Sequence, residues 1–179
     1  MASKATKKSD AIALLKADHR KVEDLFEQFS KARTEDRKAS IVKKICTELM
    51  IHAMIEEEIF YPALRGEVED DVLDEAHVEH DGAKVLIAEL LDSQPDADFY
   101  DAKVMVLKEE IRHHVKEEEK PSEGMFAQAR SAEVDLEALG EQLQARKEEL
   151  MAQFESDGLP TPTTRSFKGA RVEYGQPIA

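Results

Sequence analysis

Residues 52–62 read HAMIEEEIFYP, and the decisive letters are the first and the fifth, His52 and Glu56. Four apart on a helix, an imidazole and a carboxylate lie one above the other and offer a nitrogen and an oxygen to one point in space. Both belong to an apolar stripe at helical spacing, Ile41, Ile45, Leu49, His52, Ile55, Glu56 and Ile59, which directs them inward. An ionised carboxylate in such a stripe is costly unless it is paired or bound to metal.

Outward from this stretch the pattern recurs. Residues 113–119 read HHVKEEE, with His114 and Glu118 at the same spacing. A solitary histidine precedes each pair, His19 33 residues before His52 and His80 34 residues before His114. Each lies on an inward stripe of its own. Ser9 and Asp10 can cap a first helix, Ala11 to Ser30, that aligns Leu15, Asp18, His19, Val22, Phe26 and Phe29. Thr34 can cap the second, which Pro62 and Gly66 close. The third aligns Leu73, Ala76, His77, His80, Ala83, Ile87 and Leu91. Asp96 or Asp98 can cap the fourth, which aligns Val104, Leu107, Ile111, His114, Val115 and Glu118 before Pro121 and Gly124 end or kink it.

The spacing therefore predicts an all-α fold, an up-down-up-down four-helix bundle over residues 10–130. A flexible N-terminus, residues 1–9, precedes it. An additional C-terminal helix, 131–156, follows behind a cap at Ser131, and an irregular tail, 157–179, completes the chain. Arg165, Lys168 and Arg171 make that tail basic enough to lie back on an acidic surface. With seven Gly, six Pro and no Trp, the composition suits helices rather than sheet.

Twenty-five Lys and Arg against 39 Asp and Glu give a net charge of -14, which argues against a nucleic-acid or anionic-membrane binder, since like charges repel. No apolar run approaches the roughly 20 residues of a membrane helix. The single cysteine, Cys46, reads as a small core residue, and no hydrophobic signal region follows Lys4, Lys7 and Lys8. The expectation is a cytoplasmic monomer or dimer.

A lone histidine on an apolar stripe is more often a satisfied core or surface residue than a ligand. Here four histidines and two glutamates fall on inward stripes together, which makes His19, His52, Glu56, His80, His114 and Glu118 candidate metal ligands. His77, three residues before His80, is a seventh candidate, either a ligand or a partner one layer further out. Stepping about 100° per residue turns His113 to solvent. The same count makes Glu57, Glu58, Glu117 and Glu119 a solvated acidic face, while Glu23 fits a surface salt bridge. Lys84, close in phase to His80, must snorkel or pair with an acid. Imidazole and carboxylate without thiolate suit iron, manganese or zinc, and six or seven ligands imply two ions.

The ordered set DHRKVEDLF with His19, HAMIEEEIFYP with His52 and Glu56, EHDGAKVL with His80, and HHVKEEE with His114 and Glu118 resembles the hemerythrin-like proteins, the HHE cation-binding domain, over residues 10 to about 130. The resemblance implies a non-heme di-iron centre: two iron ions, bridged by two carboxylates and an oxo, hydroxo or water species. Oxygen-carrying hemerythrins have two histidines separated by three residues on the third helix and an aspartate at a spacing of five on the fourth. Here two residues separate His77 from His80, and Glu118 stands at four. The chain looks more like the bacterial subgroup with the pattern H, HxxxE, H, HxxxE, associated with oxygen, peroxide or nitric oxide chemistry and iron handling.

Two classes of function follow, beside a third possibility, an interaction protein whose metal is only structural. One is an oxygen or iron sensor, or a reversible oxygen-binding protein, with an open position in a dry pocket for which Ile55, Ile59, Ile87, Leu107 and Ile111 are candidate linings. The other is a redox enzyme, catalase-like toward peroxide or reducing nitric oxide. In both, the partners are small diatomic or peroxide ligands.

Overall fold

The computed structural model describes residues 10–167. The expected flexible N-terminus and the tail residues Lys168 and Arg171 lie outside them. The described residues are helical throughout their ordered elements, with no strand, and none of their helices is long and apolar enough to cross a membrane.

Helix α1, Ala11–Lys31, starts where the Asp10 carboxylate accepts the Ala13 N–H at 2.8 Å. Helix α2, Glu35–Ile55, starts at Thr34, with Glu35 and Asp36 favourably placed in its positive first turn. Its rod does not stop at Ile55. One π-helical turn, Glu56–Phe60, leads directly into α3, Tyr61–Leu64, and the Tyr61 N–H reaches back five residues to the Glu56 carbonyl. Pro62 has no N–H to lose, so the rod runs through it and ends at Arg65, where Gly66 turns the chain with φ of 82°.

Helix α4, Asp70–Leu91, and α5, Tyr100–Glu118, complete the bundle. Neither expected aspartate caps α5. Its N-cap is Phe99, left-handed at φ of 66° and 77% exposed, because the next residue, Tyr100, is buried in the core. Helices α1, α2, α4 and α5 form a closed square, with α1 packed on α2 and α5, and α4 on α2 and α5.

After Glu119 a tight turn brings Gly124 against the end of α5 and starts α6, Met125–Ser131. Ser131 is thus the end of this short helix rather than the cap of the next. The last helix, α7, Leu136–Asp157, is capped by Asp135, whose carboxylate accepts the Ala138 N–H at 3.0 Å. It docks on α1, α2 and the π turn through Leu139, Leu143, Leu150 and Phe154. Helix α2, flanked by α1, α4 and α7, is consequently buried on several sides, and its centre includes Ile45, Cys46, Leu49 and Ile51. Burial pushes the Cys46 thiol up to about 12, leaving it an inert core group.

Candidate metal centre

At mid-bundle the four helices deliver their polar side chains to one buried space. His19, His52, Glu56 and Glu118 form one group and Glu56, His80 and His114 another, and in each the potential ligand atoms lie within 4.8 Å of one another. All six residues are buried. The histidines converge in pairs, with Nε2 atoms 3.1 Å apart for His19 and His52 and 3.2 Å apart for His80 and His114.

The two carboxylates connect these pairs. Glu56 Oε2 lies 3.2 Å from His52 Nε2 and 3.3 Å from His80 Nε2. Glu118 Oε2 lies 3.3 Å from His19 Nε2 and 3.6 Å from His114 Nε2. Each His-x-x-x-Glu pair therefore reaches the solitary histidine of a neighbouring helix as well as its own.

The far side of every ring faces a second carboxylate. His19 Nδ1 donates to Glu119 at 2.8 Å, His80 Nδ1 to Glu57 at 3.0 Å, and His114 Nδ1 to Glu79 at 2.8 Å; His52 Nδ1 faces Asp18 Oδ2 at 3.8 Å. The order is cyclic: α1 supports α2, the π turn supports α4, α4 supports α5, and the end of α5 supports α1. In His19, His80 and His114 an ionised carboxylate accepts from Nδ1, so a ring proton sits there and Nε2 is the nitrogen turned toward the shared carboxylates, the orientation of a metal-ligating histidine.

The electrostatics ask for a cation. Burial first, and then the charge of Glu118, pushes the Glu56 carboxyl up to about 7, because two buried carboxylates facing one space resist joint ionisation. Burial also opposes ionisation of Glu118, but His114 and His19 outweigh it and hold its pKa well below the ordinary value. For His19, burial disfavours charge, yet Glu118 and Glu119 overcome it and raise the ring to about 9. Among the described residues, Glu56 Oε1 and Glu118 Oε2 have no hydrogen-bond donor although fully enclosed. A positive ion between the groups would satisfy both oxygens and remove the repulsion, so the residues fit a metal.

Residues 10–126 match the family model described as the hemerythrin HHE cation binding domain. This chain belongs to the hemerythrin HHE family. A crystal structure of a hemerythrin HHE cation binding domain-containing protein from Mycobacterium kansasii is similar, with a TM-score of 0.69, 24% identity, and coverage of 84% of this chain and 94% of that one. At that identity the likeness concerns the fold. A DNA nickase of Nostoc sp. (strain PCC 7120) is 26% identical over 106 residues, which are 59% of this chain and 30% of the relative. The HHE chain thus spans under a third of that protein's length.

Several expectations meet the structure directly. His113 is exposed and pairs with Glu79 at 3.3 Å, and Glu23 pairs with Arg20 at 3.0 Å on the surface. His77 is half-buried and stands outside both groups, its ring edge-on to Tyr61 at 5.2 Å. Lys84 is buried and bonds Glu57 at 2.7 Å and Asp81 at 3.1 Å. The described part of the tail, up to residue 167, lies back as expected, but through Arg165 and Ser166: their N–H groups and the Ser166 hydroxyl donate to Asp81 Oδ2.

Glu57 and Glu119 overturn the solvated-face expectation. Glu57 is buried, and its carboxyl is held at about 2, burial being outweighed by His80 and Lys84. Glu119 is half-buried and is likewise held at about 2, chiefly by its hydrogen bond to His19. A stripe calculation treats one helix against one interior, whereas these residues face an adjacent helix.

Tyr61 is the residue that sequence reasoning missed. Its hydroxyl lies 3.2 Å from Glu118 Oε1, 3.3 Å from Glu56 Oε2 and 3.4 Å from His80 Nε2. Five residues apart on a regular helix, Glu56 and Tyr61 would diverge by about 140°. The π turn, closed from residue i to i+5, places them on one face. Burial, and then the charges of Glu118 and Glu56, hold its phenol well above the usual range, so it stays protonated and donates.

Proposed function

We propose that this chain is a non-heme di-iron protein whose buried centre reacts with oxygen, peroxide or nitric oxide. The observation that carries the reading is the ring of four histidines, each backed by a carboxylate, converging on Glu56 and Glu118. His19, His52, Glu56 and Glu118 would hold one ion, and His80 and His114, with the two shared carboxylates, the other. Nitrogen and carboxylate donors without thiolate suit iron. Two bound irons would supply redox equivalents and open positions for a small molecule.

The chain's own residues do the rest. The outer carboxylates fix the histidine tautomers and ring orientations. Tyr61 keeps a proton at Oη beside both shared carboxylates, where it can be given to a developing anion and recovered. A cavity of about 20 Å³ adjoins all four histidines and is walled by Val22, Leu49, Ile87 and Ile111. It has room for one water-sized molecule and little polarity to hold water. Ile87 and Ile111 were expected to line it; Ile55, Ile59 and Leu107 instead belong to the packing around it.

That cavity also favours a second reading, reversible oxygen binding or sensing without turnover. Net charge of -14 opposes DNA contact, so the nicking activity named for the cyanobacterial relative is not part of the proposal.

Metal analysis and an absorption spectrum of the purified protein test for the di-iron centre. Stopped-flow of the ferrous protein with oxygen, and gas evolution with peroxide, then separate the readings: turnover supports redox catalysis, and a stable, reversible oxygenated spectrum supports carriage or sensing. Loaded protein that is inert toward oxygen, peroxide and nitric oxide defeats both. His52→Ala and Glu118→Ala should lower the iron content, and His113→Ala should not; equal loss in all three would sink the ligand assignment.

A further inference from the structure

Three cavities adjoin the cluster, and they differ in charge. The apolar one above the histidines is too small and too poor in oxygen donors for a hydrated metal ion. A second, of about 60 Å³, reaches His19 between Arg20, Lys108 and Arg112, each paired with a carboxylate, and with Glu23 as its one lining acid it has no surplus of negative charge to draw in a divalent ion. The third, of about 210 Å³, has His114 and Glu118 on its floor and Glu69, Glu75, Glu117 and Glu123 toward its mouth.

Among the described residues, the only lining cation of this third cavity is Lys120, which Glu123 engages at 2.8 Å. Glu79 is committed to His113 and His114. Glu75 and Glu117 have no salt bridge among the described residues, and although Glu117 acts on Lys120 at longer range, the cavity keeps a surplus of negative charge for an incoming ion. Glu75 is exposed and Glu117 half-buried, while Glu118 below them is 2% exposed and carries an oxygen with no donor. Carboxylates thus line this cavity from the exposed Glu75 to the buried Glu118, a residue of the proposed centre.

We propose that this acidic cavity is the route by which a divalent cation reaches the centre, with Glu75 and Glu117 capturing the hydrated ion and Glu118 receiving it from them. The proposal rests on the di-metal reading above. Carboxylate oxygens are suitable donors for a hard, hydrated divalent ion, and a cleft of one charge sign between low-dielectric walls raises the local concentration and capture rate of the opposite charge.

The test is rapid mixing of the metal-free full-length protein with cobalt(II), followed by the absorption that develops as imidazole replaces water. For the double variant Glu75→Gln/Glu117→Gln, uptake at low salt should slow by ~10-fold with a weaker salt dependence, the lower end of such focusing effects, at an unchanged final stoichiometry. Arg112→Ala, on the cationic side, should load no more slowly than wild type. A double variant that loads at the wild-type rate overturns the route. A double variant that binds fewer ions at saturation overturns it too, by making these residues part of the site. Wild type that binds no cobalt at all is a different result: it removes the metal centre itself, and the route with it.

Discussion

Glu57, the neighbour of the shared carboxylate Glu56, accepts the Nδ1–H of His80 across the helix interface at 3.0 Å. The same relation recurs around the bundle: the residue beside a ligand on one helix backs a histidine on the next. Glu57→Ala should therefore lower iron affinity by about 10–100-fold, the usual consequence of losing a histidine's outer carboxylate. Glu58→Ala, one position on and paired with Arg146 on the surface, should leave affinity unchanged. Competition with a calibrated chelator distinguishes them, and equal losses would refute the role given to Glu57.

Tyr61→Phe removes only an oxygen, but among the described residues that oxygen is the sole hydrogen-bond donor to Glu118 Oε1. Iron content should stay at the wild-type level while peroxide or oxygen turnover falls by about 10²-fold, the contribution of a positioned proton donor. Single-turnover kinetics on iron-loaded protein would reveal it. Unchanged turnover would reduce Tyr61 to packing.

Gly124 is required for space rather than for its φ. A Cβ there would stand 2.6 Å from the carbonyl oxygens of Glu117 and Glu118 and from the Lys120 nitrogen, all backbone atoms that cannot swing aside. Gly124→Ala should cost about 1–3 kcal/mol in denaturant unfolding, as overpacking does. It should also lower metal affinity, because the displaced backbone carries Glu118.

Phe99 shows the opposite case, a bulky residue at positive φ with its ring in solvent. Phe99→Gly should stabilise the fold by about 1 kcal/mol, since glycine adopts the left-handed region without the Cβ clash. A higher melting temperature checks this, and a lower one would show that the exposed ring makes a contact of consequence.

Glu57, Asp81 and Glu119 all have carboxyls at about 2, below their ordinary values. For Asp81, burial acts upward but is outweighed by the Ser166 backbone and hydroxyl, the Arg165 N–H and Lys84. A folded-state pKa below the unfolded one contributes stability that is complete above the unfolded value, near pH 4, and is lost as pH falls toward 2. Melts of the metal-free protein should show that loss. Asp81→Asn should make it shallower, and protease should cut the tail of this variant more readily near neutral pH.

The legible part of the site was the part that helical phase governs. His19, His52, Glu56, His80, His114 and Glu118 follow from an angular step of about 100° and an apolar stripe, and the structure gathers all six. The backing carboxylates Asp18, Glu57, Glu79 and Glu119 had a signal in their adjacency to ligands. Reading it required knowing which helix neighbours which. Ser131 and Asp96 or Asp98 are sound cap residues by chemistry, but α7 takes Asp135 and α5 takes Phe99, because burial of Tyr100 and formation of the short α6 decide where those helices begin.

By itself the sequence determined the five long helices, their order, and the six side chains turned toward one interior, because these depend on local hydrogen bonding and on the periodicity of apolar residues. Only the tertiary structure decided the cyclic support of the histidines, the docking of α7 and the tail, and the place of Tyr61. The first two are contacts between elements distant in sequence. The last depends on a π turn that shifts the phase by one residue, a change that one-dimensional periodicity does not encode.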